Sequence, residues 1–239
     1  MIISLRTGKL APRHDERTLR LARFLDTSIL PAAPPALSYA DKVKPWPMYA
    51  NDRLGDCTCA AACHMIELWS RLRGKATDPR EATVVNTYKK LSPQDQGCVM
   101  LDVLKFWRKT GFGAHRLYAF VALNLRNPEH IKLGVSLFGG VYLGVNLPTS
   151  AQAQTGPGKV WDVGSAAGGW GGHAINVVGY DAAGLDVVTW GMVQRMSWRF
   201  WDAYADEAWA LLTADWRHPP TIDGIDFRAL EAQLNAVAT

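Results

Sequence analysis

The segment that most constrains the fold starts at Cys57 and runs to about residue 73. Ala60, Ala61, Met65, Ile66, Leu68 and Trp69 leave a helix here apolar on most sides, and such a helix has to be buried between other elements. Both ends are marked. A loop from Pro45-Trp46-Pro47 leads to Asp56, whose carboxylate can cap the amides of the following helix, and Cys57 falls in its first turn. Gly74 and Pro79 close it.

Around this helix the pattern changes from helical to extended. Residues 78–91 and 100–109 read as two more helices, the second ending at Gly111 and Gly113. Residues 139–147 read as a buried strand bounded by Pro148, residues 173–181 as a second strand, Ala182-Ala183-Gly184 as a turn, and residues 185–190 as the strand that returns. Residues 152–172, rich in Gly, Ala and Gln, read as a surface excursion with Trp161 and Trp170 as anchors. Residues 197–206 suggest a short helix and 208–212 an apolar strand. Helices therefore precede strands, which predicts an α+β architecture with a helical half and a sheet half.

The flanks differ from this body. Residues 1–40 form an N-terminal arm: Leu19, Leu21, Phe24 and Leu25 lie at roughly helical spacing, and Pro31, Pro34 and Pro35 then force an extended path along the body. Residues 41–216 form the main domain. Residues 217–239 form a linker and an amphipathic helix, with Phe227, Leu230, Leu234 and Val237 on one side. That helix would dock on the body, on a partner or on a second copy of the chain.

Composition removes several function classes. With 239 residues, 48% of them hydrophobic, the chain can bury a full core without staples. Its net charge of +4 comes from interspersed charges, so nothing favours nucleic acid. No stretch is long enough to span a bilayer and the apolar run at Met1 is too short for a signal peptide, which predicts a cytoplasmic protein without membrane association. Cys57, Cys59, Cys63 and Cys98 are too few and too clustered for a disulfide framework. Cys57, Cys59, Cys63 and His64 do not match the paired Cys-X2-Cys spacing of a zinc site, so no metal and no cofactor is expected. Cys59 and Cys63 read as packing residues and His64 as a core or lobe-boundary group.

Cys57 stands apart because a loop delivers its thiol to a helix start, where the macrodipole favours the thiolate. A histidine on a later strand, His173, completes the minimum equipment for a thiol nucleophile.

These residues carry a resemblance to the papain-like cysteine peptidases. That family has a proline ten residues before the nucleophile, a glutamine six before and a glycine two before. Pro47, Asn51 and Gly55 stand at those offsets from Cys57. The family's Gly-Cys segment is matched by Gly97-Cys98, and its Gly-Pro-Val strand loosely by Phe138-Gly139-Gly140-Val141. Its His-Ala strand is matched closely by His173-Ala174-Ile175-Asn176-Val177-Val178-Gly179-Tyr180, and its closing Trp-Gly by Trp190-Gly191. The match covers about residues 40–215. Three positions depart: Thr189 stands about where the family places its asparagine, Thr58 replaces an aromatic, and Asn51 is one methylene shorter than glutamine.

The resemblance implies a two-lobe fold, a helical lobe with a central Cys-bearing helix beside an antiparallel β-sheet or barrel lobe. It also implies a thiol hydrolase acting on a peptide or isopeptide bond of a peptide or protein substrate. Cys57 would attack as a thiolate, His173 would move the proton, Asn51 and the Cys57 amide would hold the oxyanion, and Thr189 would orient His173 under the shield of Trp190. Asn51 is equally suited to shaping a turn, and Thr189 reads more readily as a plain strand residue than as a triad member. Trp161, Trp170, Gly172 and Trp190 form the candidate substrate-binding set. The arm is shorter than the inhibitory propeptide of secreted members, so activation by cleavage is not implied. Similar domains without signal peptides occur in bacterial and phage proteins. Two alternatives remain open: a papain-fold binding or structural module with little or no catalysis, kept alive by the missing asparagine, and, more weakly, a peptidoglycan amidase or endopeptidase.

Overall fold

The computed structural model describes residues 5–26, 28, 30–165 and 168–213. The buried helix is α1, Cys57–Leu72, followed by α2, Glu81–Leu91, and α3, Met100–Lys109. A helix α4, Pro128–Phe138, and a short α5, Trp198–Tyr204, interrupt the sheet half. The strands are β1, Leu37–Ser38; β2, Leu117–Ala122; β3, Val141–Pro148; β4, Val160–Trp161; β5, Gly169–Tyr180; β6, Gly184–Thr189; β7, Met192–Ser197; and β8, Ala205–Thr213. They form one sheet in the order β2-β8-β3-β5-β6-β7-β4, with β1 added on β5. Every pairing is antiparallel except β4 with β7.

The α+β class and the helical and sheet halves agree with the sequence reading, and three details differ. Helix and strand alternate after residue 110, because β2 and α4 lie between the helical half and β3. The supposed loop over 152–172 contains β4 and the first part of β5. The helical spacing of the arm yields only one 3-10 turn, Leu21–Arg23, since Leu21 and Phe24 are spent on the sheet-side core and the chain pairs at Arg20 with Ala122. The C-terminal helix reading falls outside the described residues.

The central strands are buried on both faces. Val141, Leu143 and Val145 of β3 and Ile175 and Val177 of β5 point into a core shared with Trp161 and Phe200. The intervening Tyr142 and Ala174 face the helical core of Cys59, Met65, Trp69, Met100 and Trp107, as a two-residue period requires. Burial on both faces is why β5 reads as a near-continuous apolar run. Two polar side chains then register α1 against the sheet: Tyr142 Oη donates to Thr58 O at 2.8 Å, and Asn176 Nδ2 donates to Ala61 O at 2.8 Å. Both acceptors belong to the first turns of α1, so the sheet fixes the helix at the end that carries Cys57.

Candidate active site

The loop before α1 is tightly held. Tyr49 and Ala50 take left-handed φ values of 54° and 68°, a conformation that costs energy away from glycine. The Gly55 amide donates to Asp95 Oδ1 at 2.8 Å, and the Tyr88 hydroxyl donates to the same oxygen at 2.6 Å. Asp56 occupies the N-cap position but makes no side-chain cap bond, a correction to the expected capping. Its carboxyl is fully buried, and burial pushes its pKa up to about 8, which favours the neutral acid over the capping anion at pH 7. Cys57 opens the helix, and its sulfur lies against the amides of Ala174 and Gly8.

The histidine side is built by the β5-β6-β7 meander. His173 Nε2 lies 2.7 Å from Thr189 Oγ1, with both residues buried. Thr189 ends β6 and pairs with Met192 across a two-residue turn, Trp190-Gly191, whose φ values are 44° and 70°. Such hairpin turns need positive φ at both central positions. Glycine meets this at no cost, whereas Trp190 accepts strain that aims its ring at the site. The Trp190 ring stacks on His173 at 4.1 Å between centroids and 17° between planes, and Trp170 also stacks on Trp190 at 5.0 Å. His173 Nδ1 is buried and makes no hydrogen bond, to Cys57 or to any other described residue.

The cleft between these walls is filled by residues 5–10 of the arm. Arg6 O accepts from Trp190 Nε1 at 2.9 Å and from Asn51 Nδ2 at 3.4 Å, and Arg6 N donates to Asn51 O at 3.2 Å. Gly8 N and Lys9 N donate to Gly172 O at 3.1 and 2.9 Å. Cys98 N donates to Gly8 O at 2.8 Å, and Leu10 N donates to Cys98 O at 2.9 Å. Gly8 is a steric requirement: a Cβ there would stand 1.9 Å from Gly55 O. A cavity of about 770 Å³ lies instead between residues 12–23 of the arm and the residues of β8 from Asp206 to Trp209.

This burial sets the charge state of the pair. It pushes the Cys57 thiol up to about 12, with the Ala174 and Gly8 amides pulling weakly the other way. It lowers His173 to about 3. The expected Cys57 thiolate is therefore replaced, while the arm is seated, by a neutral thiol beside a neutral His173 imidazole.

Of the candidate substrate-binding residues, Gly172, Trp170 and Trp190 face the arm or the His173 stack. Trp161 does not belong with them, which corrects the sequence reading. It is completely buried, stacked on Phe200 at 5.6 Å and edge-on to Trp190 at 6.1 Å, with Nε1 donating to Thr155 Oγ1. A glycine-rich flank suggested exposure, but short β4 pairs with β7 and turns the indole inward. Trp161→Ala is expected to lower stability by roughly 3–5 kcal/mol, as removal of a large core aromatic does; urea unfolding measures this.

No family model and no curated protein matches the chain. Solved structures do match. Xylellain, a cysteine protease from Xylella fastidiosa, superposes with a TM-score of 0.71 at 14% identity, over 88% of this chain and 97% of that one. The fold is papain-like. Digestive procathepsin L2 from Tenebrio molitor larval midgut (TM-score 0.65, 15% identity, 88% of this chain and 79% of that one) agrees, as does procathepsin B S9 from Trypanosoma congolense (0.62, 12%, 87% and 86%). In this papain-like fold His173, Thr189 and Trp190 are in contact, Arg6 O joins Trp190 to Asn51, and Cys57 opens the helix that follows the Asn51 loop. Gly8, Lys9, Asp95, Asp206 and Glu207 were missed by sequence reasoning. Gly8 had a signal of sorts, a glycine within a short arm, but its contacts are with loops 47 and 89 residues away. Among the described residues no helix is long and apolar enough to cross a membrane.

Proposed function

We propose that this chain is a thiol hydrolase that cleaves a peptide or isopeptide bond of a peptide or protein substrate. The observation that carries the reading is that the cleft already holds an extended peptide, residues 6–10, by main-chain bonds to Gly172 and Cys98 and by two side-chain N–H groups converging on one carbonyl. A substrate displaces the arm and meets the same donors and acceptors. As the Cys57 sulfur attacks the carbonyl carbon, the thiol proton passes to His173 Nδ1, the ring nitrogen not engaged by Thr189. The C–N bond then breaks and the amine leaves with that proton. Water, giving a proton back to His173, splits the thioester into a carboxylic acid and the thiol. Asn51 Nδ2, now bonded to Leu54 O at 3.1 Å as well as to Arg6 O, is the side-chain donor for the oxyanion in this reading; such a donor is worth about 3 kcal/mol of barrier.

Thr189 takes the asparagine's place as the group that orients His173. A hydroxyl both donates and accepts, so it holds the ring without fixing the tautomer. Thr189→Val keeps the shape and removes the bond, which is worth about 0.5–1.5 kcal/mol net, so turnover should fall by roughly 3–10-fold. Thr189→Asn should keep or raise the rate. Parent-like turnover in Thr189→Val would show that the hydroxyl does not orient the ring.

The second reading, a papain-fold binding module with weak catalysis, is favoured by one observation: His173 Nδ1 makes no hydrogen bond to Cys57. The pH profile of Cys57 alkylation separates the two once the arm is displaced. An active pair reacts fast well below pH 8, whereas an inert thiol follows an ordinary cysteine titration near 8.5.

A further inference from the structure

The side chain of Lys9 is completely buried, and a charge is buried only where it is paired. Its ammonium lies 2.8 Å from Asp206 Oδ2 and 3.4 Å from Glu207 Oε1, and it donates to Leu10 O at 3.1 Å. Both carboxylates are held by further donors. Asn146 Nδ2 donates to Asp206 Oδ2 at 2.9 Å, and Trp209 Nε1 donates to Glu207 Oε2 at 3.0 Å. The floor is Gly144, where a Cβ would come within 2.3 Å of Lys9 Cε and 2.8 Å of Glu207 Cγ. A basic side chain thus fits only because that position has no side chain of its own. Asp206 Oδ1 makes no hydrogen bond in the described structure and Glu207 Oε1 has only its 3.4 Å ion pair with Lys9, so the walls keep acceptor capacity in excess of the one ammonium present.

The pocket is tied to the candidate site through the backbone of the arm. Lys9 follows Gly8, whose amide lies against the Cys57 sulfur, and its own amide bonds Gly172, next to His173. Any peptide that replaces residues 6–10 removes the ammonium that both carboxylates bind. We infer that Asp206, Glu207 and Gly144 form a specificity pocket for a lysine or arginine side chain within two residues of the scissile bond, and that Lys9 is its resident mimic. The inference rests on the hydrolase reading for its substrate class, but the pocket itself is open to test by binding alone.

The test uses the full chain with Gly8→Val, which displaces the arm and leaves the pocket untouched. Acetylated hexapeptides of alanine carrying Gly-X or X-Gly at the centre, with X as lysine, arginine or norleucine, compete with iodoacetamide for Cys57, and mass spectrometry reads the protection. Lysine and arginine peptides should protect at concentrations at least tenfold below those of the norleucine peptides. With Asp206→Asn and Glu207→Gln added, that ratio should fall to about one. Equal protection by lysine and norleucine peptides, or no protection by any peptide while Cys57 reacts, overturns the pocket. The ratio in Gly8→Val alone decides the matter if the chain with three substitutions fails to fold. Cleavage is followed on the same samples: selective protection without cleavage supports the pocket and sinks the hydrolase reading, whereas cleavage indifferent to X does the reverse.

Discussion

Gly8→Val should raise the rate at which iodoacetamide alkylates Cys57 at pH 7 by about 100-fold or more. The cause is steric and then electrostatic. A Cβ at residue 8 would stand 1.9 Å from the Gly55 carbonyl oxygen, which belongs to a loop pinned by Asp95 and cannot retreat, so the arm must leave. With the arm seated, the thiol is pushed up to about 12, and the thiolate fraction at pH 7 is of the order of 10⁻⁵. Exposure returns the thiol toward its ordinary value near 8.5, and the helix start and an ionised His173 lower it further. The sign in pH follows. In the parent, alkylation keeps rising through the alkaline range, because the thiolate forms only near pH 12; in Gly8→Val it levels off at or below about pH 8.5. Cys59 and Cys63, fully buried in α1, should stay unlabelled in both chains, which separates arm release from unfolding. A parent and variant that react alike would mean that the arm does not control the thiol.

In the same opened chain, Cys57→Ala and His173→Ala should each lower hydrolysis of a cleavable peptide by more than about 1000-fold, because the nucleophile and its proton carrier act as a unit. Both substitutions remove side-chain atoms from the lobe junction without touching Tyr142 or Asn176, which hold α1 on the sheet. Far-UV circular dichroism should therefore be unchanged. Cys57→Ala should also abolish labelling at residue 57 while leaving peptide binding intact. Turnover that survives either substitution would remove the dyad, whereas an opened parent that binds peptide without turning it over would leave the binding-module reading.

The placement of Thr189 shows where sequence and structure part. Its hydroxyl replaces an amide, so residue type argued for a plain strand position, yet the hairpin register and the positive φ of Trp190 bring it to 2.7 Å from His173. Trp161 errs in the opposite direction: a glycine-rich neighbourhood suggested a surface, and a two-residue parallel pairing buried it. Local pattern carries no information about such pairings, because their partners lie tens of residues away.

What the sequence determined by itself is the local part: the apolar helix behind Cys57, the loop offsets of Asn51 and Gly55, the His-Ala strand and the α+β class. The helix and the class follow from periodicity within short windows, where steric and hydrophobic terms depend on neighbours in the chain, and the offsets and the His-Ala strand were legible through the resemblance they carry. The tertiary structure alone decided that residues 5–10 fill the cleft, that Lys9 is buried between Asp206 and Glu207 nearly two hundred residues on, and that Cys57 and His173 are neutral in the closed chain. Those outcomes depend on desolvation and on close approach of distant backbone, and both exist only once the lobes and the arm have come together.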